Sequence, residues 1–141
     1  MEAYLKWAVV ALLGYTMVAP LMKVATVDIP STVAALLANA VLVVGSLAVV
    51  LYVDIPVTPY LTHPRAVYVY AAGICLTVGI LSYYQALATG PVSVVVPVFG
   101  MFIVTSSIVS AVWLGDDLTL RKVAGIGFAA IAVYLTAGPG Q

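Results

Sequence analysis

"LATGPVSVV", residues 87–95, lies inside fifty consecutive residues, Ala66 to Gly115, that hold no Asp, Glu, Lys or Arg. How the chain passes through it decides the fold. As one helix, rising about 1.5 Å per residue, the stretch would reach roughly 75 Å, whereas the hydrocarbon core of a bilayer is about 30 Å thick. Two crossings joined at Gly90-Pro91 use the length. Glycine takes the left-handed position that ends a helix, and proline is well placed as the first residue of the next. The chain is expected to turn here.

Working outward, the whole chain has the same character. Of its 141 residues 65% are hydrophobic and 7% charged, with a mean hydropathy of +1.21. A soluble domain carries about 25% charged residues. The balance is that of an integral membrane protein whose surface is solvated by lipid. The formal net charge is zero, so there is no electrostatic footprint for nucleic acid. The lone cysteine, Cys75, forms no disulfide within the chain.

The ten charged residues punctuate the apolar runs. They predict an all-α fold of five transmembrane helices, at about 4–27, 31–53, 66–89, 91–114 and 119–138, forming one domain over residues 1–141. The first is read as a span rather than a cleaved leader, because Glu2 offsets Lys6 and no small-x-small cleavage site follows. Lys23, at its far end, is expected to snorkel toward the interface. "VDIPST" (27–32) offers Ser31 or Thr32 as an N-cap, "DIPVTPYLTHPR" (54–65) has three prolines and cannot continue a helix, and Thr119 is an N-cap for the last helix.

Five crossings place the termini on opposite sides. Lys6, Arg65, Arg121 and Lys122 then share the side of the N-terminus and Lys23 lies opposite. This charge bias predicts a cytoplasmic N-terminus and an external C-terminus. Tyr4, Trp7, Tyr52, Tyr68, Tyr70 and Trp113 gather at that same interface, as an aromatic belt does.

Small residues repeat on single helix faces, including Gly79 and Ser82 in the third expected helix and Gly125, Ala129 and Ala132 in the fifth. Such stripes let helices approach closely in lipid. The fourth helix adds Pro97, which removes one backbone hydrogen bond and loosens the Ser93 carbonyl. At that depth free backbone is tolerated only against protein or a wet cavity. Ser93, Pro97 and Gly100 therefore form the leading candidate for the wall of a substrate pathway, with a structural kink as the alternative. Pro20, near Tyr15 and Thr16, poses the same question in the first helix. Thr77 and Tyr84 share a face with Gly73 on the third, and Asn39 with Ser46 on the second, where interhelical hydrogen bonding is the alternative role.

No carboxylate, histidine or basic residue falls near the middle of any expected span, and His63 sits in the proline-rich loop. Nothing in the sequence suggests a metal site, a cofactor, a phosphate loop or a nucleophile with its base. The chemistry expected is therefore not enzymatic, and proton-coupled export through a buried glutamate lacks its key group. A substrate would be held by hydroxyls, amides, aromatic faces and kinked backbone.

From Tyr83 onward, "YYQALATGPVSVVVPVFGMFIVTSSIVSAVWLGDDLTLRKVAGIGFAAIAVYL" resembles the second half of an EamA repeat of the drug/metabolite transporter superfamily. The shared features are the small-residue turn, the mid-helix Pro97-Val98, then Leu-Gly-acid, Leu-Thr and Gly. Gly14 and Lys23 are weakly similar to the repeat's opening. The sequence departs from the pattern at four places: Asp116 stands for the usual glutamate, Arg121-Lys122 for the frequent Gln, Ala132 for a second glycine, and Leu13 for a Trp. The resemblance implies one five-helix repeat in place of the family's inverted pair. It implies a small transporter of a polar or amphipathic metabolite, working by alternating access as a homodimer or with a partner membrane protein. A non-transporting assembly subunit, or a flippase component for lipid-linked sugars, are the alternative functions.

Overall fold

The computed structural model describes residues 3–115, 117 and 119–137. Among them every regular element is helical: α1 (Ala3–Thr16), α2 (Val18–Ala25), α3 (Ser31–Val53), α4 (Thr58–Leu61), α5 (Ala66–Thr89), α6 (Val92–Gly100), α7 (Phe102–Leu114) and α8 (Leu120–Ala137). The chain divides into two compact units, residues 1–89 and 90–141. Four stretches among the described residues are long and apolar enough to cross a membrane: Tyr4–Ala25, Ser31–Val53, Ala66–Thr89 and Val92–Leu114. The helix expected at 119–138 is present as α8, 18 residues long; Gly138 and Asp116 lie outside the described residues.

In the first unit, α3 and α5 match their expected bounds and pack against each other, and α2 packs on α5. The first span is not the continuous helix 4–27. It breaks at Met17, because Pro20 has no N–H to give to Thr16, four residues back. The ladder resumes where Leu21 N–H donates to the Met17 carbonyl at 3.2 Å. The break separates two environments. Residues 4–17 of the span are exposed, whereas Ala19 and Met22 of α2 are buried with Ala34 and Ala35 of α3 and Tyr84 and Leu87 of α5. The unit's core thus sits where the end of α2, the start of α3 and the end of α5 meet.

The caps differ from those expected. Pro30, not Ser31 or Thr32, is the N-cap of α3, with no side-chain cap. Its carbonyl accepts from Val33 and Ala34, each at 2.9 Å, and the Ser31 hydroxyl is free to bond Gln85 of α5. At the other end Asp54 is left-handed, φ 56°, a conformation Asp tolerates better than most residues. Ile55 N–H reaches the Val50 carbonyl at 3.2 Å and Asp54 N–H the Leu51 carbonyl at 3.3 Å, the paired bonds of a Schellman end. The proline-rich loop carries one helical turn, α4, with a proline in its first turn. Tyr70 Oη ties it to α5 by donating to the Leu61 carbonyl at 2.8 Å. In the same loop His63 Nδ1 accepts from the Arg65 N–H at 3.1 Å.

The end of α5 is the opening stretch itself. The helix stops at Thr89 and α6 starts at Val92, as expected, but the means differ. Gly115 is the glycine with positive φ among the described residues; Gly90 is not left-handed. The stop is made instead by side chains. Lys23 Nζ donates to the Leu87 and Ala88 carbonyls at 2.8 and 3.4 Å, and the Thr89 hydroxyl donates to the Gln85 and Ala86 carbonyls at 2.9 and 3.4 Å. Lys23 is half-buried on the negative end of a helix dipole. Pro91 is the N-cap of α6 in extended backbone, one residue before the N1 position expected.

In the second unit α8 packs on α6 and α7. The helix expected over 91–114 is two helices meeting at Met101. Gly115 ends α7 in left-handed backbone, φ 72°. Thr119 caps α8 as expected, its hydroxyl accepting from the Lys122 N–H at 3.4 Å.

Candidate functional site

Pro97 lies inside α6 and cannot donate to the Ser93 carbonyl. Four residues on, Met101 N–H goes to the Val98 carbonyl at 3.2 Å, three residues back, instead of to Pro97. Two carbonyls one turn apart, Ser93 and Pro97, thereby lack the donor four residues on. They share a face with Gly100, beside which a Cβ would meet open space. Ser93 is exposed and Pro97 and Gly100 half-buried. These three residues come together as a strip of loosened backbone, and the sequence signal for them was Pro97 alone. Met101, where the helix is interrupted, was not singled out.

The first unit repeats the device. Pro20 and Thr16 flank the break at Met17, and the Thr16 hydroxyl turns back to the Leu12 carbonyl at 2.8 Å. Tyr15 and Thr16 are exposed, whereas Tyr84 is buried and stacks obliquely on Tyr83, with ring centroids 5.9 Å apart. The remaining expected residue, Thr77, lines a groove of about 370 Å³ between α3 and α5 together with Asn39, Leu36 and Ile80. Both polar groups are anchored to their own helices. Asn39 Nδ2 donates to the Ala35 carbonyl and Thr77 Oγ1 to the Gly73 carbonyl, each at 2.8 Å. Neither is an interhelical bond, so the amide oxygen of Asn39 and the hydroxyl oxygen of Thr77 keep accepting capacity in an otherwise apolar groove.

A larger groove, about 620 Å³, runs between α7 and α8. It is lined by Ser106, Ser107 and Ser110 on one side and Lys122, Gly125 and Ala129 on the other, with Asp117 at the connection. Gly125 and Ala129, expected at helix-packing positions, stand in the wall of this groove, and a Cβ on Gly125 would meet nothing within 4 Å. Gly79, Ser82 and Ala132 are exposed on their helices. Among the described residues no group of three His, Cys, Asp or Glu side chains converges on a metal site.

Residues 3–138 match the family model described as the EamA-like transporter family. The chain belongs to that family. No curated protein and no solved structure matches the chain. Membership makes this EamA-like chain a multi-pass membrane protein of a transporter family, and it puts the broken spans in context. Transporter folds use discontinuous helices where unpaired backbone lines a path through the membrane. In this EamA-like chain the breaks at Met17 and Met101 fall well inside the Tyr4–Ala25 and Val92–Leu114 spans.

Proposed function

We propose that the chain is a small membrane transporter of a polar or amphipathic metabolite, and that Ser93, Pro97 and Gly100 form part of its path. The observation that carries this reading is the pair of carbonyls, Ser93 and Pro97, which lack the donor four residues on and lie on one face within the first two turns of an apolar span. Free carbonyls in hydrocarbon cost several kcal/mol unless something donates to them. A passing solute with hydroxyl or amine groups is such a donor. Tyr15, Thr16 and Pro20 at the first break, and Thr77 on α5, supply further uncharged contacts with Tyr84 buried behind them, which suits recognition by hydrogen bonds and aromatic faces instead of a buried ion pair.

The reading includes α8 as a fifth crossing, a single transmembrane domain over residues 1–141, and a cytoplasmic N-terminus with an external C-terminus. It also includes a second repeat, supplied by another copy of the chain or by a partner membrane protein, facing the first. The test is transport by purified protein in liposomes, scored by mass spectrometry of a panel of polar and amphipathic metabolites taken up. Uptake above that of empty liposomes, reduced by Pro97→Ala at equal folded protein, is the expected result. No uptake of any solute by protein that stays folded, alone or with its partner, would make it an assembly subunit.

A further inference from the structure

We propose that the α7–α8 groove is a binding site for a zwitterionic phospholipid, with the headgroup at the Asp117–Lys122 end and one chain lying along the groove. The polarity of the walls changes in one direction. Asp117 and Lys122 stand at the connection between the helices, Ser110 and Ser107 come next, and Ile103, Val104 and Ala129 lie farthest from the charges. From Ser110 to Ile103, and from Lys122 to Ala129, each wall runs seven residue steps, about 10 Å of helix. Half of a bilayer core is about 15 Å. The groove therefore passes from the interface most of the way to the midplane while its lining turns from charged to hydroxylic to apolar. A water-soluble zwitterion matches the mouth alone; an amphipath matches the whole length.

The charges at the mouth specify the head. Lys122 Nζ donates to the Asp117 backbone carbonyl at 2.8 Å, which holds the ammonium over the opening with two N–H groups to spare. The Asp117 side chain is exposed. A phosphate on Lys122 and an amine on Asp117 satisfy both signs in one ligand, whereas an anionic head with no amine leaves the carboxylate opposed. Charge-assisted hydrogen bonds are stronger than neutral ones. Below the mouth, Gly125 keeps the groove open. The site requires α8 to lie in the membrane, but it uses none of the residues placed on the transport path.

The test is native mass spectrometry of the full chain in mild detergent, titrated with palmitoyl-oleoyl phosphatidylethanolamine, the matching phosphatidylglycerol and diacylglycerol, and free phosphoethanolamine. One phosphatidylethanolamine per chain is expected to bind about tenfold or more tightly than either other lipid, and free phosphoethanolamine not to bind detectably. Gly125→Leu should abolish the tight event by filling the groove, Lys122→Ala should weaken it by a similar factor, and Asp117→Asn should bring the two phospholipids to parity. Equal binding of phosphatidylethanolamine and diacylglycerol, or tight binding that survives both Gly125→Leu and Lys122→Ala, would overturn the proposal. So would binding of phosphoethanolamine as tight as that of the lipid, which would make this a site for a soluble solute. Should Gly125→Leu lower the yield of folded protein, Ser110→Leu fills the same groove from the opposite wall and is read in the same way.

Discussion

Lys23 carries the most interactions of any charged side chain described. Its ammonium bonds the Leu87 and Ala88 carbonyls at the end of α5, beside Leu87, which is fully buried at 0% exposure. The last carbonyls of a helix have no partner within it, and in a membrane protein water does not replace one at depth. Lys23→Ala should therefore cost about 1.5–3 kcal/mol, the range for hydrogen bonds to charged groups. Thermal unfolding in detergent should show the midpoint falling by several degrees, with Lys23→Arg recovering most of the loss. An unchanged midpoint for the alanine variant would mean that Thr89 alone ends the helix. The same contact explains why Gly90 need not be left-handed: a side chain 64 residues away does the work that the local sequence assigned to a glycine.

At the scale of elements, the two proline breaks separate position from consequence. Pro97→Ala restores a donor to the Ser93 carbonyl and removes a residue that costs a helix interior about 3 kcal/mol. Stability should hold or rise and transport should fall, both measured on the same preparation. Gly100→Leu should act likewise, because the space beside Gly100 is open and the side chain would occupy the proposed path instead of straining the fold. Reduced stability with normal transport per folded molecule would place Pro97 in the scaffold. Much of this element pattern was legible in the sequence. α3 and α5 begin and end where charges, prolines and apolar length put them, and Thr119 caps α8. What was not legible depends on partners distant in sequence or on the exact register of backbone bonds. Pro20 and Pro97 announced weak points, but the interruptions fall at Met17, three residues before one proline, and at Met101, four residues after the other, beside Gly100. The cap on α5 needed Lys23 to arrive from α2, and Ser31 left its expected capping role for Gln85. Asp54 in left-handed backbone carries no local signal as strong as a glycine. The α7–α8 groove was hidden for a different reason: its serines and Gly125 look identical to packing residues until a neighbouring helix leaves them uncovered.

At the scale of the whole molecule the decisive quantity is the number of crossings, because it fixes where the C-terminus lies. Four stretches qualify by length and apolarity among the described residues. The fifth helix, α8, has 18 residues, about 27 Å, just under the thickness of a hydrocarbon core. Its first turn carries Arg121 and Lys122, which favour an interfacial start and, by the positive-inside rule, a cytoplasmic one. A helix lying flat on the surface would need a polar face along its length, yet from Val123 to Leu135 its only side chain with a polar group is Tyr134. The proposed fifth crossing rests on that apolar length. Reporters after Gln141 should therefore register the external side, and reporters within 55–64 the cytoplasmic side. A C-terminus found inside, with 55–64 unchanged, would reduce the count to four and leave α8 at the surface, removing the membrane depth that a lipid in the α7–α8 groove requires. Both orientations in equal numbers would instead let two copies face each other head to tail, and Lys23, committed to the carbonyls of α5, would then be a weak opponent to the four charges of the other side. Neutralising Arg121 and Lys122 together separates these cases: it should shift a dominant single orientation toward a mixture, and leave an already mixed population nearly unmoved.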